Sequence, residues 1–150
     1  MNIIQGDLIA FAKEGYFDVI IHGCNCFKTM GSGIALQIKN AFPEAYQADL
    51  DTVAGDDFKL GMYSSAIVNP SPNVCFVVVN AYTQYRYGYS EQYADYDAIR
   101  KVFRLIKANY TGRRIAYPKI GAGQGRGDWN IISTIIDQEL AGENHTCVVL

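Results

Sequence analysis

The residues of this 150-residue chain best equipped for chemistry lie between Asp18 and Pro43, in the stretch DVIIHGCNCFKTMGSGIALQIKNAFP. His22 carries an imidazole whose ordinary pKa of about 6.5 suits a general acid or base; the same ring can also be a buried polar group with a partner. Asn25 offers a donor and an acceptor to a pair of sugar hydroxyls, or to its own backbone as an Asx turn. Cys24 and Cys26 are nucleophiles if a neighbour lowers their pKa and small core residues otherwise, so His22 ranks above them. A zinc site from His22, Cys24 and Cys26 lacks a fourth ligand, and no metal is expected.

Behind these residues, Gly31-Ser32-Gly33 opens the amphipathic segment that starts at Ile34. Glycines let backbone N–H groups come close to a ligand, and a helix beginning there turns the positive end of its dipole the same way. A second glycine-rich run, Gly121-Ala122-Gly123-Gln124-Gly125-Arg126-Gly127, leads into Asp128, a good N-cap for a helix from Trp129. One such turn holds one phosphate and two facing turns could clamp a diphosphate, although glycines also serve tight turns of any kind. No GxxxxGK is present and the first strand-to-helix turn lacks GxGxxG, which excludes a P-loop and a conventional nicotinamide-binding fold. Asp7 reads first as the N-cap of a helix from Leu8; alternatively its carboxylate accepts from an exocyclic amine such as adenine's. Tyr82, Tyr85, Tyr87 and Tyr89 with Arg86 could stack on a base, line a pocket edge, or simply cover a loop.

These groups need a scaffold, and the hydrophobic periods supply one. Strands are expected at Asn2–Gln5, Asp18–His22, Met62–Val68, Val74–Val79, Arg114–Tyr117 and Thr146–Leu150. Helices are expected at Leu8–Ala12, from Ile34 to Phe42, Glu44–Val53, Glu91–Asn109 and Trp129–Leu140. Asn69-Pro70-Ser71-Pro72-Asn73 suits a five-residue hairpin loop joining two antiparallel strands. The order predicts one α/β domain over residues 1–150, a three-layer α/β/α sandwich around a mixed, mostly parallel sheet of about six strands. A net charge of -2 argues against a large polyanion as partner. Cys24, Cys26, Cys75 and Cys147 form no CxxC pair and read as free thiols; with no basic leader and no long apolar block, a cytoplasmic protein without a membrane segment is expected.

Along essentially its whole length the sequence resembles a macrodomain, the ADP-ribose-binding α/β/α module. The motifs that carry the likeness are GDL at 6–8, HGCNC at 22–26, MGSGIALQIKNAFP at 30–43 and YPKIGAGQGRGDW at 117–129. The resemblance implies that Asp7 and Leu8 meet adenine and that Asn25 faces the distal ribose. It further implies that Gly31, Ser32, Gly33 and Ile34 hold the diphosphate together with Gly121, Ala122, Gly123, Gln124, Gly125 and Arg126. Within the family the run is most similar to the yeast-type ADP-ribose 1''-phosphate phosphatases and related phage proteins, in which the residue matching His22 is a catalytic candidate. Gln84 falls where the ester-cleaving branch has a lysine, and Gly125 where that branch has an aspartate; the NAAN and VDGAIH motifs of the larger de-ADP-ribosylating class are missing. The expectation is a monomeric, cofactor-free and metal-independent hydrolase releasing phosphate from ADP-ribose 1''-phosphate, with His22, Asn25 and Asp128 as catalytic residues. The alternatives are a hydrolase acting on ADP-ribosylated protein or nucleic acid, and a reader that only binds ADP-ribose.

Overall fold

The computed structural model describes all residues from Met1 to Leu150. Its six strands are β1 (Asn2–Gln5), β2 (Val19–Cys24), β3 (Tyr63–Ser71), β4 (Val74–Tyr82), β5 (Ile115–Tyr117) and β6 (His145–Val149). They form one mixed sheet in the order β1-β6-β5-β2-β4-β3, parallel throughout except for the β3–β4 hairpin at one edge. Five helices cover it: α1 (Leu8–Lys13), α2 (Gly33–Ala41), α3 (Pro43–Leu50), α4 (Tyr96–Tyr110) and α5 (Trp129–Glu139).

The pleat of β2 divides the core. Val19 and Ile21 point to a layer in which Ile99, Val102, Phe103 and Ile106 of α4 meet Ile132 and Ile136 of α5. Ile20 points the other way, to Leu8, Ile38, Phe42 and Ala45 of the α1–α3 layer. A strand covered on both faces must be apolar on both, as the run before His22 is. Its other neighbours are held by local chemistry. Asp7, Asp95 and Asp128 cap α1, α4 and α5 with their carboxylates, and Pro43 starts α3 where no N–H is needed. The isoleucine-rich 129–139 segment is a helix because its bulky residues fall on one buried stripe.

Several boundaries differ from the sequence expectation, the simplest being α3, which ends at Leu50 instead of Val53 with Asp51 as its C-cap. The hairpin closes on Pro72 and Asn73, because Ser71 still pairs with Val74 beyond an irregularity after Val68. Helix α4 starts at Tyr96 instead of Glu91: Asp95 caps it, and Tyr93 and Ala94 before it donate their N–H groups to the Gly125 carbonyl at 2.8 and 3.0 Å. Strands β2 and β4 run two and three residues further, to Cys24 and Tyr82, because His22, Gly23 and Cys24 pair in register with Asn80, Ala81 and Tyr82. That last difference decides where the chemistry can sit.

Candidate functional site

The carboxyl ends of β5, β2 and β4 lie side by side, and a cleft of about 430 Å³ opens above them. Open parallel sheets put ligands at this end because the loops leaving adjacent strands diverge there. Gly23 and Cys24 of β2 and Asn25 just after it form its floor, with Pro118, Lys119 and Ile120 on the β5 side and Thr83, Gln84, Tyr87 and Tyr89 on the β4 side. Gly31 to Ala35 make one wall, and Gly121 with Gly123 to Gly125 the other.

The two glycine-rich loops meet. Ser32 Oγ donates to Gln124 Oε1 at 2.6 Å, joining residues more than ninety positions apart across the cleft. Ser32 stands at the N-cap of α2 but makes no cap bond with its side chain. The first intrahelical bond runs from the Leu36 N–H to the Ser32 carbonyl, so the amides of Gly33, Ile34 and Ala35 have no acceptor within the helix. No acidic residue lies in that first turn, and Gly33 takes φ of +58°, a left-handed conformation that a side chain would strain. The product is a positive helix end facing an open cleft whose one formally charged side chain is Lys119.

Asn25 lies under this wall and holds the turn above it. Its Oδ1 accepts from the Phe27 N–H at 2.8 Å, and its Nδ2 donates to Thr29 Oγ1 and the Thr29 carbonyl at 2.7 and 3.2 Å. The Asx role and the place in the cleft therefore coexist. Asp7 takes its cap role: Oδ1 accepts from the N–H groups of Ile9 and Ala10, and the residue lies at the β1 edge outside the cleft, with Leu8 buried beneath it. Ala122 and Arg126 also stay off the cleft walls.

Both further catalytic candidates are displaced. His22 is wholly buried in mid-strand, on the Ile20 side, facing Asn80 instead of the cleft. Its Nε2 lies 2.6 Å from Asn80 Oδ1, which as a carbonyl oxygen accepts, so the proton is on Nε2. Asn80 Nδ2 then donates to the Ala45 carbonyl and to Ser64 Oγ, and Ser64 contacts the Tyr82 hydroxyl, which donates to Asp49. Burial holds the His22 pKa down at about 4, only partly offset by Asn80, so the ring is neutral at pH 7. The expected acid–base role of His22 is thus not supported by its position, because β2 does not end at the histidine but continues to Cys24. Asp128 likewise spends Oδ1 on the Asn130 N–H as the cap of α5 and lines no part of the cleft.

The cysteines are free, and neither of the pair near His22 is activated. Burial raises the Cys24 thiol well above its ordinary value and pushes Cys26 up to about 11, the reverse of what a nucleophile needs. No three His, Cys, Asp or Glu side chains converge in a way that could hold a metal ion. Tyr82 is buried in β4 and Tyr85 is tied to the Gly55 carbonyl, so of the four tyrosines only Tyr87 and Tyr89 face the cleft.

Thr83, Lys119 and Thr29 are cleft residues that sequence reading did not single out. Lys119 lies inside the YPKIGAG motif and was findable there. Thr83 becomes visible only once β4 is known to pair with β2 as far as Tyr82.

The chain belongs to the Macro domain family, whose pattern matches residues 21–136. It is 41% identical over 146 residues to an uncharacterized 17.5 kDa protein of the tk-vs intergenic region of Enterobacteria phage T4, covering 91% of this chain and 88% of that one. In fold it is similar to the macrodomain of Thermus aquaticus DarG, with TM-score 0.72 and 22% identity over 99% of this chain and 97% of that one. It is also similar to Thermosipho africanus DarTG, solved in complex with ADP-ribose, with TM-score 0.73 and 18% identity over all of this chain and 42% of the other. No helix is long and apolar enough to cross a membrane.

Proposed function

We propose that the cleft binds ADP-ribose and that the protein hydrolyses ADP-ribose derivatives, first among them ADP-ribose 1''-phosphate. The observation that carries this is the 2.6 Å Ser32–Gln124 bond, which brings both glycine-rich loops to one cleft above an uncapped helix end. In this reading the diphosphate lies on the amides of Gly33, Ile34 and Ala35 and on the 121–125 loop, where oriented N–H groups and the helix dipole favour an anion. Adenine then lies toward β1, where Asp7 Oδ2, free of the cap bonds, can accept from its amine. The distal ribose lies toward β4, beside Asn25.

Hydrolysis of the 1''-phosphate breaks the bond between phosphorus and the anomeric oxygen. Water attacks phosphorus, one of its protons passes to the departing anomeric oxygen, and inorganic phosphate and ADP-ribose result. Phosphoryl transfer through a loose transition state asks for positioning and charge stabilisation more than for a strong base. A cleft built of amides, hydroxyls and one lysine supplies those. His22 in this account holds the ends of β2 and β4 together, so that Asn25 and Thr83 are fixed, and it takes no proton.

Release of ADP-ribose from modified protein or nucleic acid is the second reading, favoured by Tyr87 and Tyr89, which stand 58% and 73% exposed where an acceptor chain would leave the cleft. Assay of phosphate release from ADP-ribose 1''-phosphate beside ADP-ribose release from modified protein separates the two. Turnover of the phosphate ester is expected; tight ADP-ribose binding with no turnover of either would make the protein a reader.

A further inference from the structure

The sheet ends in two free edges, and they are unequal. At one end β1 has four residues, and Asp7 follows two positions later. At the other, β3 runs nine residues, and from Leu60 to Tyr85 the chain carries no Asp, Glu, Lys or Arg, although such residues make up 19% of the whole. Edge strands are normally blunted by charge, proline or an irregularity, because their unpaired amides are a template for another strand. Here the irregularity after Val68 and Pro70 guard only the hairpin end, and Tyr63 to Ile67 stand unguarded.

The hydrogen bonds of β4 show which groups of β3 are spare. Val77 and Thr83 donate their N–H groups to the Asp18 and Cys24 carbonyls on the β2 side, whereas Tyr82 donates to Met62 on the β3 side. Successive residues of a strand turn their backbone groups to opposite neighbours, so Asn80 and Val78 face β3 as Tyr82 does. Ser64 lies opposite Asn80 and Ala66 opposite Val78; these two therefore bond β4, and Tyr63, Ser65 and Ile67 turn their N–H and C=O groups outward. Tyr63 packs toward α4, its ring 6.2 Å from that of Tyr110, and Ile67 on the same face is 72% exposed.

We propose that this edge pairs with the same edge of a second copy of the chain, antiparallel about a twofold axis through Ser65, so that one sheet runs across both. In that register Tyr63 faces Ile67 of the partner subunit, Ser65 faces its own counterpart, and every outward amide meets a carbonyl. A strand edge that reads the same from both directions is what an isologous contact needs. Aromatic and β-branched side chains set opposite each other stabilise such a pair, and Ile67 gains the cover it lacks in the single chain. No like charges meet, because neither strand carries any. Such a pair departs from the monomer expected of the sequence. No residue of β3 lines the cleft, so the contact is separate from ligand binding.

The test is sedimentation velocity from about 1 µM to about 1 mM, with amide exchange followed by NMR at both ends of the range. Wild type passes from monomer to dimer as concentration rises. The amides of Tyr63, Ser65 and Ile67 slow their exchange with it, while those of Ser64 and Ala66 are protected throughout. Ser65→Pro removes an outward N–H and no bond to β4, and Ile67→Lys sets a charge on each side of the axis; each raises the dimer dissociation constant at least about tenfold. Ile67→Val leaves it within about threefold. Circular dichroism melts check each fold, and Ile67→Lys decides alone if the proline unfolds β3. A wild type that sediments as a monomer throughout, a dimer that neither variant weakens, or exchange at the three amides that ignores concentration would overturn the assignment.

Discussion

Two polar regions grow from the same few residues of β2 and end with opposite characters. Above the strand ends, the cleft is open, its amides unpaired and its loops joined by one exposed hydrogen bond between Ser32 and Gln124. Below, on the α3 face, His22, Asn80, Ser64, Tyr82 and Asp49 form a chain of bonds closed from solvent. In the cleft, polar groups wait for a partner that comes from outside. In the cluster they bond one another, all but Asp49 Oδ2, and their product is the fixed geometry of two strand ends. On the proposed reading titratable and functional chemistry separate here: the imidazole lies in the scaffold, and the cleft is lined by amides, hydroxyls and Lys119.

The widest expected effect separates the regions by stability. Truncation of His22 to alanine leaves a cavity and strips Asn80 Oδ1 of its buried donor, which costs roughly 2–4 kcal/mol in urea unfolding. ADP-ribose affinity, measured where the variant is folded, stays close to wild type; a wild-type melt with abolished turnover would return the histidine to the mechanism.

A pH series probes the same contrast from the other side. The unfolded His22 takes a proton near its ordinary 6.5, the folded one only near 4, so the unfolded state binds more protons between these values. Stability from this group is complete above about pH 6.5 and is lost as pH falls toward 4, by at most about 3 kcal/mol. His22→Gln flattens that slope in equilibrium unfolding. A binding curve that follows the stability curve across the same range, in protein still folded, would contradict the separation of the two regions.

Smaller effects belong to the cleft. An alanine at Gly125 puts its Cβ 2.8 Å from the Gly121 carbonyl oxygen, and the second loop must shift. ADP-ribose affinity then falls at least about tenfold, or about 1.4 kcal/mol, with little change in melting temperature. The smallest is Asp7→Ser, which keeps a side-chain cap on α1 and so holds stability within about 0.5 kcal/mol, while removing the acceptor for adenine. A fewfold loss of ADP-ribose affinity checks it by titration, and an unchanged affinity would confine Asp7 to capping.

Most of the scaffold was legible because period and punctuation agreed. The stripe of α4, the doubly apolar β2 and the aspartates before α1 and α5 all have local causes. The end of β2 was not legible, and the cause is physical. A histidine after an apolar run looks like the exit from a core, but His22 and Asn80 pair in register on adjacent strands and supply each other's hydrogen bond, so neither marks an exit. Thr83 is hidden for the same reason, since a β4 that ends at Val79 leaves it well past the strand instead of directly at its end. The meeting of Ser32 with Gln124 has no local signal at all; the strand order puts β5 beside β2, and the resemblance to macrodomains anticipated what the pleat alone could not.

The proposed function requires one diphosphate held by both loops. Calorimetric titration of ADP-ribose against adenosine, which lacks both the diphosphate and the distal ribose, examines that, with ADP titrated beside them to isolate the diphosphate. ADP-ribose is expected to bind one to one, with adenosine at least about a hundredfold weaker, a gap of about 2.7 kcal/mol. No heat with ADP-ribose, or equal affinity for the two, would contradict it.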